Sequence, residues 1–257
     1  MGKIALITGA TAGFGEATAI LFAEKGYHLI ITGRRLERLS SIRKQIEKKY
    51  GVRVMSLNFD VRNLSQTRKQ LSSIPPQWRK IDVLVNNAGL ASGISPIQEG
   101  DFEDWDRMID TNIKGLLYVT RLIAPMMIKN KTGHIINIAS IAGKEVYANG
   151  NVYCATKFAV NALTKAMRID MLPYGIKATS ICPGMAETEF SIVRYHGDKE
   201  KAKAVYKGFQ PLKADDIANA VYYAVSQPAH VNISEIVILP TAQANAGTVL
   251  RAVNKKR

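Results

Sequence analysis

Lys3-Ile4-Ala5-Leu6-Ile7-Thr8-Gly9-Ala10-Thr11-Ala12-Gly13-Phe14-Gly15 passes from an apolar, β-branched stretch into a glycine-rich turn, and residues 16–25 continue with helical periodicity. Strand, glycine turn and helix in that order form the setting in which a dinucleotide is held. Gly9 permits the tight turn. Gly13 lets backbone N–H groups approach a pyrophosphate at the positive end of a helix, and Gly15 removes a side chain where helix crosses strand. Thr11, Ala12 and Phe14 complete the turn. The spacing is G-x-x-x-G-x-G rather than G-x-G-x-x-G, and it is the more restrictive pattern when it follows a threonine at a strand end. A glycine-rich turn without a ligand is the plainer alternative.

The second strand-like run, residues 27–32, ends in Gly33-Arg34-Arg35, and no Asp or Glu lies between Gly26 and Leu36. An NAD site carries a carboxylate here for the ribose 2′-hydroxyl. Two guanidinium groups suit a 2′-phosphate instead, which points to NADP; the alternative is that they simply open the basic helix over residues 36–50. Two further strand ends carry candidate cofactor contacts: Asp60-Val61 after residues 54–59, and Asn87-Ala88-Gly89 after residues 81–86.

Tyr153 and Lys157 are four residues apart, about one helical turn, so both project from one face. A free phenol with a pKa near ~10 is a poor acid–base group at neutral pH, and an ammonium one turn away favours its phenolate. Ser140 could hold a substrate oxygen opposite. A lone Y-x-x-x-K is more often a surface pair, and its weight comes from the nucleotide site upstream.

With the glycine turn Thr8 to Gly15, Asn86 to Gly89, Asn112, Ser140, Tyr153, Lys157 and Pro183-Gly184 in that order, the chain resembles the short-chain dehydrogenase/reductase family over essentially all 257 residues. The resemblance implies a nicotinamide cofactor and an Asn112, Ser140, Tyr153 and Lys157 set. It also implies that Lys157 binds the nicotinamide ribose, that Asn112 holds a water relaying protons from Lys157, and that Pro183, Gly184, Met185 and Thr188 touch the cofactor. Arg34-Arg35, Thr188-Glu189-Phe190-Ser191 with Val193-Arg194, and residues 228–233 are similar to the NADP-dependent 3-hydroxy acid (serine or L-allo-threonine) dehydrogenase group. That implies a short 3-hydroxy acid or the matching carbonyl as substrate, and a homotetramer. The substrate carboxylate then needs a cation. Arg194, among apolar neighbours, is the first candidate and Lys144 the second; bracing of the lid by Arg194 with Glu187 or Glu189 is the alternative.

Strand-like runs near 3–8, 27–32, 52–57, 81–85, 132–139, 175–182 and 234–239 alternate with helical patterns. They predict one α/β domain over residues 1–257, a doubly wound, mostly parallel seven-stranded sheet with helices on both faces. Residues 185–212 lack a strand pattern and read as a substrate lid, and residues 240–257 as a basic C-terminal tail. Cys154 and Cys182 form no disulfide framework, and the four histidines have no ligand spacing, so no metal is expected. No signal peptide or apolar span is evident, which predicts a cytoplasmic protein with no membrane partner. The formal charge of +14 comes from 35 basic and 21 acidic residues. The basic residues are dispersed without interleaved aromatics, which argues for attraction of anionic small molecules over nucleic acid. A 3-ketoacyl-carrier-protein reductase or another carbonyl reductase is the nearest rival. A non-catalytic NADPH sensor is the rival from another class, and the complete Asn–Ser–Tyr–Lys set argues against it.

Overall fold

The computed structural model describes residues 2–252, so the end of the expected basic tail, residues 253–257, lies outside the described residues. Seven strands form one sheet: β1 (Ile4–Ile7), β2 (His28–Gly33), β3 (Val54–Asn58), β4 (Val83–Asn86), β5 (His134–Ile138), β6 (Lys177–Pro183) and β7 (Glu235–Ile238). Their order is β3-β2-β1-β4-β5-β6-β7. All six pairings are parallel, so the expected mostly parallel sheet is parallel throughout.

The apolar runs are nearly continuous because both sheet faces are covered. Leu6, Leu84 and Ile135 point to one side, where Val119 and Ile123 of α5 (Leu116–Asn130) and Val160 and Met167 of α6 (Asn151–Asp170) bury them. Ile7, Ile31 and Val85 point to the other. There they meet Phe22 of α1 (Gly13–Glu24), Leu39 of α2 (Leu36–Tyr50) and Val221 of α9 (Ala214–Ser226). The remaining helices are α3 (Leu64–Ser72), α4 (Phe102–Ile109), α7 (Phe190–Arg194) and α8 (Lys199–Ala204).

Strand order reverses between β1 and β4, and a cleft opens beyond their C-terminal ends, as such a reversal dictates. One buried hydroxyl joins the two tips. Thr8 Oγ1 donates to Val85 O (3.3 Å) and accepts from the N–H groups of Asn87 and Ala88 (both 3.0 Å). Asn87 Nδ2 answers by donating to Thr8 O at 2.9 Å and Gly9 O at 3.1 Å. The glycine turn and the Asn87-Ala88-Gly89 turn are therefore one rigid floor.

The segment read as a lid has a defined frame. A parallel bridge pairs Ala186 with Leu212 at its base, and it carries α7 and α8. The described end of the chain folds back beside it: Arg251 donates to Lys207 O (2.6 Å) and Val205 O (2.9 Å). Arg251, expected in a basic tail, is thus a brace for the lid base.

Candidate active site

Two glycines of the turn adopt the left-handed backbone that side chains disfavour, Gly9 at φ +65° and Gly13 at φ +55°. A Cβ on Gly15 would collide with Gly9 O and Asn87, so α1 can start this close to β1 only with glycine there. Ala12, the residue before α1, offers no side-chain acceptor to the first N–H groups. Those donors, at the positive end of the helix, suit an anion such as a pyrophosphate. The cleft above is lined by Gly9, Thr11, Ala12, Gly13, Phe14, Arg34, Arg35, Asp60, Val61, Asn87, Ala88, Gly89, Tyr153, Lys157 and Thr188. Gly15 lies beneath it. The residues present therefore fit a dinucleotide.

At the far end, Arg35 donates through Nε and Nη2 to the Thr11 hydroxyl (3.2 and 3.0 Å) and through Nη1 to Glu189 (2.7 Å). Arg38, not foreseen, donates to the other Glu189 oxygen at 2.6 Å. Arg34 stands 3.8 Å from Asp60, which Arg62 also holds. Burial works against the Glu189 charge, yet its bonds from Arg38 and Arg35 keep the carboxyl below the usual carboxylate range.

At the reacting end, α6 delivers Tyr153 and Lys157, both buried. The loop after Ser140 can lie on this helix because Gly143 has no side chain: a Cβ would be 2.5 Å from Lys157 O. Asn161 Nδ2 then donates to Gly143 O at 2.9 Å. Ser140 Oγ accepts from Ala142 N (3.1 Å) and donates to Pro183 O (3.3 Å), which ties the β5 loop to the end of β6. Gly184 is equally hemmed in, since a Cβ would strike Gln243 and Leu239. Gln243, absent from the sequence reading, accepts from Met185 N at 2.8 Å.

Lys157 Nζ donates to Ile138 O at 2.9 Å. Its nearest described acceptor is a carbonyl, so desolvation lowers its pKa from 10.5 to about 8. Burial pushes the Tyr153 hydroxyl above the ordinary phenol value, with Tyr147 adding to this; Ser140 and Arg194 act in the opposite sense. Lys157 Nζ is 5.8 Å from the Tyr153 ring centroid, and Arg194, read from the sequence as a carboxylate partner, joins Ser140 in favouring the phenolate.

Asn112 lies in a π-helical stretch (Asp110–Gly115) within an otherwise continuous helical pattern. Its side chain is spent on structure. Oδ1 accepts from Leu90 N (2.8 Å), and Nδ2 donates to Leu90 O (2.8 Å) and Thr156 Oγ1 (3.0 Å). These bonds hold residues 89–90 beside Lys157.

The lid closes on this centre. Phe190 packs edge-on to Tyr153 at 5.6 Å between ring centroids. The Arg194 guanidinium lies 5.4 Å from the Tyr147 ring and 5.7 Å from the Tyr153 ring. Its Nε and Nη2 are buried without a hydrogen-bond partner among the described residues. The bracing alternative is not what the fold shows, because Glu189 turns away to Arg35 and Arg38. Lys144 is removed as second candidate, since its ammonium pairs with Glu235.

The chain belongs to the short chain dehydrogenase family, whose pattern matches residues 3–198. It is 47% identical over 245 residues to the NADP-dependent 3-hydroxy acid dehydrogenase of Salmonella typhi, covering 95% of this chain and 97% of that one. It is 44% identical over 242 residues to the serine 3-dehydrogenase of Agrobacterium fabrum, covering 94% and 95% respectively. A solved closed form of serine dehydrogenase complexed with NADP+ matches with a TM-score of 0.90 at 43% identity, covering 97% of this chain and 100% of that one.

The buried ammonium has a pH signature. Because the folded pKa of Lys157 is below its ordinary value, the unfolded chain holds more protons between about pH 8 and 10.5. This group's burden on stability therefore falls as pH rises through that window. Denaturant titrations without cofactor should show wild type gaining on Lys157→Met over that range; a constant difference would contradict a buried, desolvated ammonium.

Proposed function

We propose that this chain is an NADP-dependent oxidoreductase acting at C3 of short 3-hydroxy acids, of the serine, L-allo-threonine, 3-hydroxybutyrate or 3-hydroxypropionate type, or reducing the matching carbonyl. The observation that carries the acid specificity is the Arg194 guanidinium near the Tyr153 ring, whose Nε and Nη2 have no hydrogen-bond partner among the described residues. Buried guanidinium N–H donors without an acceptor are costly, and a substrate carboxylate supplies the missing acceptor. The relatives named for 3-hydroxy acids and serine support the same class.

The nicotinamide, when bound, supplies the hydride acceptor or donor. The chain's own residues do the rest. The Tyr153 oxygen takes the alcohol proton during oxidation or returns it during reduction. Ser140 Oγ holds the reacting oxygen and steadies its changing charge. Lys157, by family resemblance, binds the ribose hydroxyls and carries the proton onward. Since the Asn112 amide donors are already engaged, a relay water beside it would rest on its backbone carbonyl or its remaining Oδ1 lone pair. Gly13, Phe14 and Gly15 would hold the pyrophosphate, and Arg34 and Arg35 the 2′-phosphate. Asp60, Val61, residues 87–89 and Thr188 wall the cleft, and by family resemblance residues 183–185 would touch the cofactor.

A homotetramer is part of this reading. Its support is family membership together with exposed apolar side chains on α5 and α6, Leu117, Phe158 and Ile169. Light scattering at micromolar concentration should return four times the chain mass, and a monomer would contradict it. Among the described residues no helix is long and apolar enough to cross a membrane.

The carboxylate assignment is tested with Arg194→Met, assayed on a hydroxy acid and on an uncharged alcohol. kcat/KM should fall about a hundredfold on the acid, as expected for losing a bidentate charge-assisted contact, and little on the alcohol. Equal losses on both would reduce Arg194 to a lid brace.

A further inference from the structure

Glu189 is a carboxylate of the lid held by two guanidinium groups of α2 and its flank, each bound to a different oxygen. This contact joins residues more than 150 positions apart. It closes the cleft at the end opposite the reacting centre. Thr188, the preceding residue, sits 3.3 Å from where a Gly13 Cβ would be, so the lid strand crosses directly over the pyrophosphate turn. Arg35 cannot follow a moving lid, because Nε and Nη2 are anchored on Thr11. Arg38 Nη1 also reaches Thr11 O at 3.4 Å, so Arg35 and Arg38 form a two-guanidinium anion site at the rim of the cleft, and Glu189 fills it.

We infer that Glu189 is a positioning residue that occupies this anion site as a carboxylate and yields it to the 2′-phosphate of the cofactor. The inference rests on the reading that Arg34 and Arg35 receive that phosphate. Charge explains the exchange. Arg35 and Arg38 already face two acids, Glu189 and Glu16; burial raises the Glu16 carboxyl pKa, and the Glu189 charge adds to the rise. A phosphate entering with Glu189 in place would meet a neutralised site and a like charge. With Glu189 displaced, it inherits the freed Nη1 donors of both arginines. Arg34 is 3.8 Å from its partner Asp60 and half-exposed, so it is available to receive the phosphate first. The Glu189 pairs are also nearly half-exposed, a setting in which ion pairs are weak and displaceable.

The consequence is a lid whose cofactor-side clasp reads one substituent. A nucleotide lacking the 2′-phosphate leaves the clasp shut, and one carrying it opens the clasp while Phe190 still covers Tyr153. Glu189 thus lowers affinity for the phosphorylated cofactor relative to what three arginines would give alone, and it does so without touching the reacting atoms.

The test is isothermal titration of wild type and Glu189→Gln with adenosine 2′,5′-bisphosphate and with adenosine 5′-monophosphate, which differ only in the 2′-phosphate. Removing the competing charge should tighten the bisphosphate about three- to tenfold, the range expected for releasing exposed ion pairs. The monophosphate should stay within about twofold. If wild type prefers the bisphosphate but the substitution leaves that preference unchanged or weakens it, the exchange is overturned and the arginine site stands. If wild type binds both nucleotides equally, the arginine site is wrong and the inference falls with it.

Discussion

Two ionisable side chains one turn apart on α6 are buried without a counter-charge of their own. Tyr153 is pushed up and Lys157 down by the same cause, loss of water. Each shift moves its group toward the neutral form, and the neighbouring structure is arranged to make that tolerable. Ile138 O accepts from Lys157, and Gly89 and Gly143 leave out side chains that would crowd it. Phe190 and Tyr147 complete the dry wall around the phenol. In such surroundings a hydrogen bond or a cation acts more strongly than in water. Ser140 and Arg194, the two groups that favour the phenolate, are therefore well placed to matter.

The lid links this centre to the opposite end of the cleft. Phe190 and Arg194 sit over the reacting end, while Glu189 sits at the arginines one residue before α7 begins. A third clasp lies at the far side of α7, where His196 meets Asp104 of α4 at 3.1 Å. Five residues of helix thus span between an ion pair and a hydrogen bond on different walls. The lid base does not share this exchangeable character: Tyr206 Oη donates to Ala186 O at 2.8 Å, and the Ala186–Leu212 bridge is backbone.

Most of the scaffold was legible because its signals are local. The glycine turn, the seven apolar runs and the α2 boundaries follow from spacing and residue type, and the strands lie within a few residues of where those runs place them. Tyr153, Lys157 and Ser140 come together because β5 and α6 are neighbours on the sheet. What was illegible depends on contacts between distant segments. Arg38 looks like any exposed residue of a basic helix until Glu189 folds onto it. Lys144 looks available until β7 brings Glu235 beside it. Asn112 reads as a residue of an unbroken helix, since a π-helical turn leaves no mark in hydrophobic periodicity. The approach of Arg194 to the Tyr153 ring was illegible for the same reason, because it reaches the ring from the lid.

The central claim is that the Tyr153 hydroxyl carries the proton of the reaction in a cleft already shaped for NADP. Tyr153→Phe keeps the ring against Phe190 and removes only the oxygen. Paired measurements of turnover on a 3-hydroxy acid and of NADPH binding by fluorescence decide the matter. The account predicts loss of turnover by at least about a hundredfold, the scale of a lost general acid–base, with NADPH affinity nearly unchanged. Turnover within about tenfold of wild type, with the cofactor still bound, would contradict it.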